Sequence, residues 1–213
     1  MNQWEEGVSD AIEELEMNKE KVRQLLLRYG LLFRELMENE LPTLRWNRLF
    51  RTLRIMELSG ELIGGHFFQG IRGLQFISHQ AFRLLQKGLR EDAVYWMNAC
   101  DPASLCGVKL EGLDPHLPSR IPSNHIVYRG TQVVLISRKN GKELEIFVPT
   151  EDTRLKEYLG LFRTFVSRDF HPETSVKVEQ INGEAVHKSP YSRTLSALGF
   201  RNGYRSFSLE RDF

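Results

Sequence analysis

Four arginines, Arg45, Arg48, Arg51 and Arg54, recur at every third position through the otherwise apolar stretch LRWNRLFRTLRIMELSG, residues 44–60. A guanidinium carries a permanent positive charge and a planar fork of N–H donors that matches phosphate oxygens. Shortly after, His66 and Arg72 sit within the glycine-rich GGHFFQGIRG, residues 64–73. His66 either meets a phosphate when protonated or simply suits a turn; its position favours contact. The set is suited to neutralising a polyanion, while its plain alternative is a solvated helix face.

Charge distribution sharpens that choice. The net charge of +1 conceals three regions: residues 1–20 carry −6, residues 21–90 carry +7, and residues 91–213 are neutral. A locally basic segment holding all six residues named above is the electrostatic footprint of a surface that meets phosphates.

Other chemistry finds little footing. No phosphate-binding G-x-x-x-x-G-K-[ST] loop is present, and Gly141-Lys142 lacks the upstream glycine and the following hydroxyl. Neither a G-x-S-x-G elbow nor an H-E-x-x-H pair occurs. Cys100, Cys106, His116 and His125, with Asp101 nearby, lie in one stretch, but C-x5-C is not zinc-knuckle spacing, and core thiols with scattered histidines are the expectation. Glu111 and Asp114 read as solvated loop acids rather than an acid–base pair. Two cysteines form no disulfide framework, no run of about 18 apolar residues exists, and the acidic N-terminus lacks the apolar core of a secretory signal. A reducing, cytoplasmic setting without a membrane partner follows as the expectation.

The elements that must position the arginines are legible in outline. Residues 3–17 predict an acidic helix anchored by Trp4 and Ile12 or Leu15. Val22, Leu25, Leu26 and Tyr29 predict a helix ended by Gly30, and Phe33, Leu36 and Met37 a second short one. Thr43 is the expected N-cap of a third helix, whose apolar stripe is Trp46, Leu49, Phe50, Leu53 and Met56 and whose arginines fan across the polar side. Trp46 either packs in that stripe, which its spacing favours, or stacks on a base. Gly60 closes the helix in the left-handed conformation. "ELI" and "HFF" predict a hairpin about a Gly64-Gly65 turn, "LQFI" a further strand, and Ser78 a helix cap. Three helices followed by a hairpin is the order of a winged helix, in which the third helix enters the major groove and the hairpin, the wing, touches the backbone.

Residues 89–99 read as helical, with Leu89, Ala93 and Trp96 as anchors. A proline-rich connection follows, then strands from His125, turning at Asn140-Gly141 and Asn182-Gly183. A long helix is predicted through Leu155, Tyr158, Leu159, Phe162, Phe165 and Val166, and a short one capped at Ser189-Pro190. The expected class is α+β: an acidic helix over residues 1–20, a winged helix over 21–99, and a β-barrel-like mixed domain over 100–213.

Five blocks in order, LLLRYGLLFRELMENE, LFRTLRIMELSGELIGGHFFQGIRGLQF, DPASLCG, NHIVYRG and INGEAVHKSPYSRTLSALGF, resemble the DEAD/H-associated C-terminal region of the large helicase-related (Lhr) proteins. These are superfamily 2 ATP-dependent DNA helicases implicated in repair. The resemblance spans roughly residues 20–210. It implies a winged helix followed by a barrel-like sheet, DNA as partner, and two upstream RecA-like motor domains, which hold ATP and Mg. This chain starts at Met1 without room for those domains, so a fragment of a longer polypeptide or a stand-alone relative is expected, with no cofactor and no catalysis of its own. The family's wing tends to read G-E-I-R-G-G-R-F. Here Ile63 and His66 occupy its basic positions and Leu74 a common acidic one. That implies weaker wing contacts and more of the grip on Arg45, Arg48, Arg51 and Arg72.

The leading expectation is a nucleic-acid-binding accessory region that grips single-stranded or duplex DNA without reading its sequence. Two alternatives stand beside it. One is a DNA glycosylase-like repair module, against which no glutamine is followed two residues later by Gln or Asp. The other is a winged helix that docks on protein.

Overall fold

In the computed structural model, which describes residues 3–88, 90–169 and 173–211, the chain divides into two compact units. The first comprises Met1–Leu89 with Val108–Leu113, the second Arg90–Gly107 with Asp114–Phe213.

The first unit is built on one stripe of apolar residues. Helix α1 runs unbroken over Gln3–Tyr29, so the acidic stretch and the Val22–Tyr29 stripe are one helix rather than two. The segment between them, Met17-Asn18-Lys19-Glu20, contains no glycine or proline to interrupt the helical ladder. The side chain of Trp4 lies outside the described residues. Gly30, at φ +72°, ends α1 in a conformation that L side chains rarely adopt. Strand β1 (Leu31–Leu32) and helix α2 (Arg34–Met37) follow, then a tight helical turn over Pro42–Leu44. Helix α3 spans Trp46–Leu58 and begins from extended Arg45, not from Thr43, because Pro42 draws Thr43 into that turn. Gly60 closes α3 at φ +78°.

Strand β2 (Leu62–Gly65) pairs antiparallel with β3 (Gln75–Ser78), which also pairs with β1. Gly64 and Gly65 therefore lie inside a strand and not at a turn. Their lack of a side chain leaves room for neighbours: a Cβ on Gly64 would run into the Glu57 carboxylate, and one on Gly65 would crowd the Phe67 ring at 3.2 Å. The wing is the longer loop 66–74. Helix α4 (His79–Lys87) is capped as expected, the Ser78 hydroxyl accepting from the Ala81 N–H at 3.1 Å.

Val22, Leu25 and Leu26 of α1 close with Leu49, Leu53 and Met56 of α3 on Leu32, Met37, Leu62 and Phe76. Tyr29 fastens the end of α1, its hydroxyl donating to Glu40 at 2.5 Å while Arg28 donates to the same carboxylate at 2.9 Å.

The second unit is sheet-rich. Residues 94–98 are strand β4 (Val94–Asn98), not the expected helix. Val-Tyr-Trp favours a pleated ribbon, and β4 pairs residue for residue with β5 (His125–Arg129), Tyr95 stacking on Tyr128 at 5.1 Å. Strands β6 (Gln132–Arg138) and β7 (Glu143–Ile146) continue the sheet through the Asn140-Gly141 turn, both residues at positive φ.

Helices α5 (Leu155–Leu159) and α6 (Leu161–Ser167) replace the predicted long helix, meeting at Gly160. Strand β8 (Ser175–Val178) precedes β9 (Gln180–Ile181) and β10 (Glu184–Ala185), which turn at Asn182-Gly183. Helix α7 (Ser192–Ala197) starts after Tyr191, past the expected Ser189 cap. Strands β11 (Arg201–Asn202) and β12 (Phe207–Glu210) end the unit.

The main sheet has the order β10-β9-β7-β6-β5-β4, with β7 and β9 parallel. Among the described residues no pairing joins β10 to β4, so the barrel-like sheet is an open one of six strands. Its central strands read as near-continuous apolar runs because both faces are covered. Val127 and Leu135 pack toward Tyr158, Phe162 and Phe165; Ile126 and Ile136 pack toward Ala99 and Cys106. The fold is α+β, with an N-terminal winged helix and a sheet-rich region after it.

Leu53 is fully buried at the α1–α3 seam. Leu53→Ala should destabilise the first unit by about 2–5 kcal/mol, read as a lower denaturant midpoint at unchanged slope.

Candidate nucleic-acid interface

The face of α3 opposite its apolar stripe carries the arginines. Each residue advances about 100° around a helix, so a spacing of three turns successive side chains back by about 60°. Leu49, Thr52, Leu53 and Met56 are buried, whereas Asn47, Arg48, Phe50, Arg51 and Leu58 are exposed. Arg48 and Arg51 are therefore neighbours on the open side. Arg45 precedes the helix, its Nε donating to the Glu40 carbonyl at 3.3 Å. Arg54 is half-buried and ion-paired with Glu57, the carboxylate that lies over Gly64.

Pairing separates the arginines of this unit into two groups. Arg23 binds Glu61 at 2.9 Å, Arg28 binds Glu40 at 2.9 Å, and Arg34 binds Glu38 at 3.1 Å. The Arg23 hydrogen bond holds the Glu61 carboxyl below the usual carboxylate range. Among the described residues, Arg45, Arg48, Arg51 and Arg72 have no carboxylate partner. Arg83 and Lys87 of α4 share that lack, so four of the six sequence-predicted residues lie among the cations without a carboxylate: Arg45 just before α3, Arg48 and Arg51 on it, and Arg72 on the wing. His66 is exposed on the wing, and Arg54 is the member whose charge is already balanced.

Trp46 is partly buried. Its ring lies 5.2 Å from Phe50 and 5.9 Å from Phe76, so it packs against the core edge. Phe50, expected in the buried stripe, is 38% exposed and closes the outer edge of the same aromatic cluster.

One residue that holds the wing was not recognised in the sequence. The side chain of Gln75 is fully buried, its Oε1 accepting from the Phe67 and Phe68 N–H groups, each at 3.0 Å. Its Nε2 donates to the Phe68 carbonyl at 3.1 Å and the Ile71 carbonyl at 3.4 Å. A single amide thereby satisfies four backbone groups of a loop that has no ladder of its own. The available signal was a lone glutamine within the apolar LQFI.

The cysteines and histidines of the second unit serve packing and turns. Cys106 is buried, and burial raises its thiol. Asp114 accepts from both the N–H and Nδ1 of His116, at 2.9 and 2.8 Å. Among the described residues no group of three or more His, Cys, Asp or Glu could hold a metal ion. Arg120 organises the proline-rich connection, donating to the carbonyls of Ser104 at 3.0 Å and Asp101 at 3.2 Å. His125 is buried between Trp96 and Phe165, its Nε2 2.9 Å from the Asn98 amide nitrogen.

With this geometry in view, comparison with known proteins is specific. Residues 11–97 match the family described as large helicase-related protein, winged-helix domain. Over those residues the chain is similar to an Lhr winged-helix domain. The match begins within α1, runs through α4 and ends within β4, so the remaining sheet takes no family assignment from it. A search of the curated proteins gives no match. Among the described residues no helix is long and apolar enough to cross a membrane.

Two predictions follow from these side chains. Gln75→Leu removes the amide while keeping bulk; Phe67 and Phe68 amide hydrogens should exchange at least about tenfold faster, the equivalent of ~1.4 kcal/mol lost from the wing. Desolvation lowers the pKa of His125 to about 4. Its neutral form therefore contributes stability that is complete above pH ~6.5 and lost as pH falls toward 4, on the order of 2–3 kcal/mol in total. His125→Gln should flatten the unfolding free energy across that pH window.

Proposed function

We propose that this chain is a nucleic-acid-binding accessory region of an Lhr-type ATP-dependent helicase, gripping DNA independently of sequence through α3 and the wing. The observation that carries the reading is the exposure of Arg45, Arg48, Arg51 and Arg72, none with a carboxylate partner among the described residues, on or beside the two elements that a winged helix presents to a duplex. Their contacts are to phosphate, so affinity comes from counterion release and carries no base preference. A motor that travels along DNA needs such a grip, because base-specific contacts would hold it in place. His66, exposed on the wing, adds a contact when protonated, and Arg54 contributes least because Glu57 already balances it.

The role is not catalytic. ATP and Mg belong to RecA-like motor domains of the same polypeptide, and those domains and DNA are the partners. A setting among chromosomal DNA in the cytoplasm and a part in repair follow from the same reading.

Arg48→Ala with Arg51→Ala removes two phosphate contacts from exposed positions and leaves the buried seam untouched. In mobility-shift titrations across salt concentrations, the double variant should bind duplex DNA more weakly. Its plot of log affinity against log salt should be shallower by about 1.8. Binding indistinguishable from wild type would remove α3 as the contact surface.

A further inference from the structure

The second unit carries a separate exposed aromatic and cationic surface. Strands β11, β12 and β8 form a three-stranded antiparallel sheet. One face is closed by Val176, Val178, Phe207 and Leu209, all buried. Register puts Arg201, Ser208 and Lys177 in one row across the other face. At the tip joining β11 to β12, Gly203 donates to the Ser206 carbonyl at 2.9 Å, and Tyr204 projects from this tight loop. The residue is 94% exposed, the highest exposure among the large apolar and aromatic residues described.

That exposure is informative. A tyrosine ring gains most of its stabilisation from covered area, and this one stands almost wholly in water at the end of a hydrogen-bonded hairpin. The Arg205 guanidinium lies 5.9 Å from the Tyr204 centroid and has no carboxylate partner among the described residues. A cleft of about 610 Å³ at the end of the same sheet is lined by Arg163, Arg201 and Arg211, with Glu210 as its acid. Glu210 is engaged by Arg201 at 3.0 Å, so among the described lining residues three arginines stand against one glutamate. Residues 201–213 hold three arginines against Glu210 and Asp212.

We propose that the Tyr204 tip, with Arg205 beside it and Arg201 on β11, forms a second contact surface, specific for single-stranded nucleic acid. An unpaired base stacks on the Tyr204 ring, the phosphate beside it meets Arg205, and Arg201 on β11 meets the next one along the strand. Single strands fit because the stacking partner must be an exposed base face, and in a duplex those faces are occupied by neighbouring pairs. Aromatic platforms flanked by cations bind strands in this way without choosing a sequence, since every base offers a π face. An acidic protein segment would satisfy the arginines but leave the ring without a planar partner.

The test is fluorescence anisotropy on the full chain with labelled oligothymidylate and, separately, a blunt duplex. Tyr204→Ala should weaken oligothymidylate binding by about 5- to 150-fold, and Tyr204→Phe, which keeps the ring, should bind like wild type. Duplex affinity should be unchanged in both. Because Tyr204 is exposed, the thermal midpoint should not move, which separates lost contact from lost fold. Tyr204→Ala binding within about twofold of wild type would overturn the proposal, as would an equal loss in Tyr204→Phe. The same Tyr204 dependence should persist in the Arg48→Ala/Arg51→Ala background, so failure of the winged-helix reading and failure of this one remain distinguishable. Its disappearance there would overturn the assignment of a separate surface.

Discussion

Packing of α3 on α1 is the constraint from which the proposed interface follows. Leu49, Leu53 and Met56 can be buried in only one rotation of the helix, and Val22, Leu25 and Leu26 supply the complementary ridge. Once that rotation is set, Arg48 and Arg51 have nowhere to point but solvent. Their positions require no hydrogen bond and no ion pair; they follow from where the hydrocarbon goes. Burying either guanidinium in the seam would leave a desolvated charge without a partner, at a cost of several kcal/mol. Charge exposure and core burial are thus two sides of one helical period.

The wing obeys a different rule. Its loop forms no extended ladder, and its backbone groups are satisfied by the amide of Gln75 rather than by pairing. This makes a compact loop whose Arg72 and His66 are displayed on a shaped backbone. The two glycines before it act through absence of volume, letting Glu57 lie over β2 and balance Arg54. One arginine of the four is thereby assigned to internal structure, and the remaining positive charge sits toward the N-terminal half of α3 and the wing. That division suits a binding mode governed by phosphate contacts, where each free cation adds to affinity and salt dependence.

Legibility in the sequence varied with the physics involved. The α3 stripe, Gly60, the Ser78 cap and the Asn140-Gly141 and Asn182-Gly183 turns were readable because each rests on local spacing or backbone conformation. The arginine face was readable for the same reason. Residues 94–98 misled because Leu89, Ala93 and Trp96 match helical spacing, while the deciding partner, β5, lies about 30 residues on. Gly64-Gly65 misled because a glycine pair signals a turn unless a distant side chain, here Glu57, needs the space. The role of Gln75 and the neutralisation of Arg54 both depend on three-dimensional neighbours that no spacing rule reveals. Tyr204 was hidden for the opposite reason: its distinguishing property is that nothing covers it.

The central claim is that the outward face of α3 meets DNA. The most direct measurement places a photo-crosslinking benzophenone residue at position 51, on the open side of α3, and in a second protein at position 27, an exposed position on α1. Each is irradiated with labelled duplex at low salt. This account predicts covalent protein–DNA adduct from position 51 and little from position 27. Adduct from position 27 with none from position 51 would contradict it.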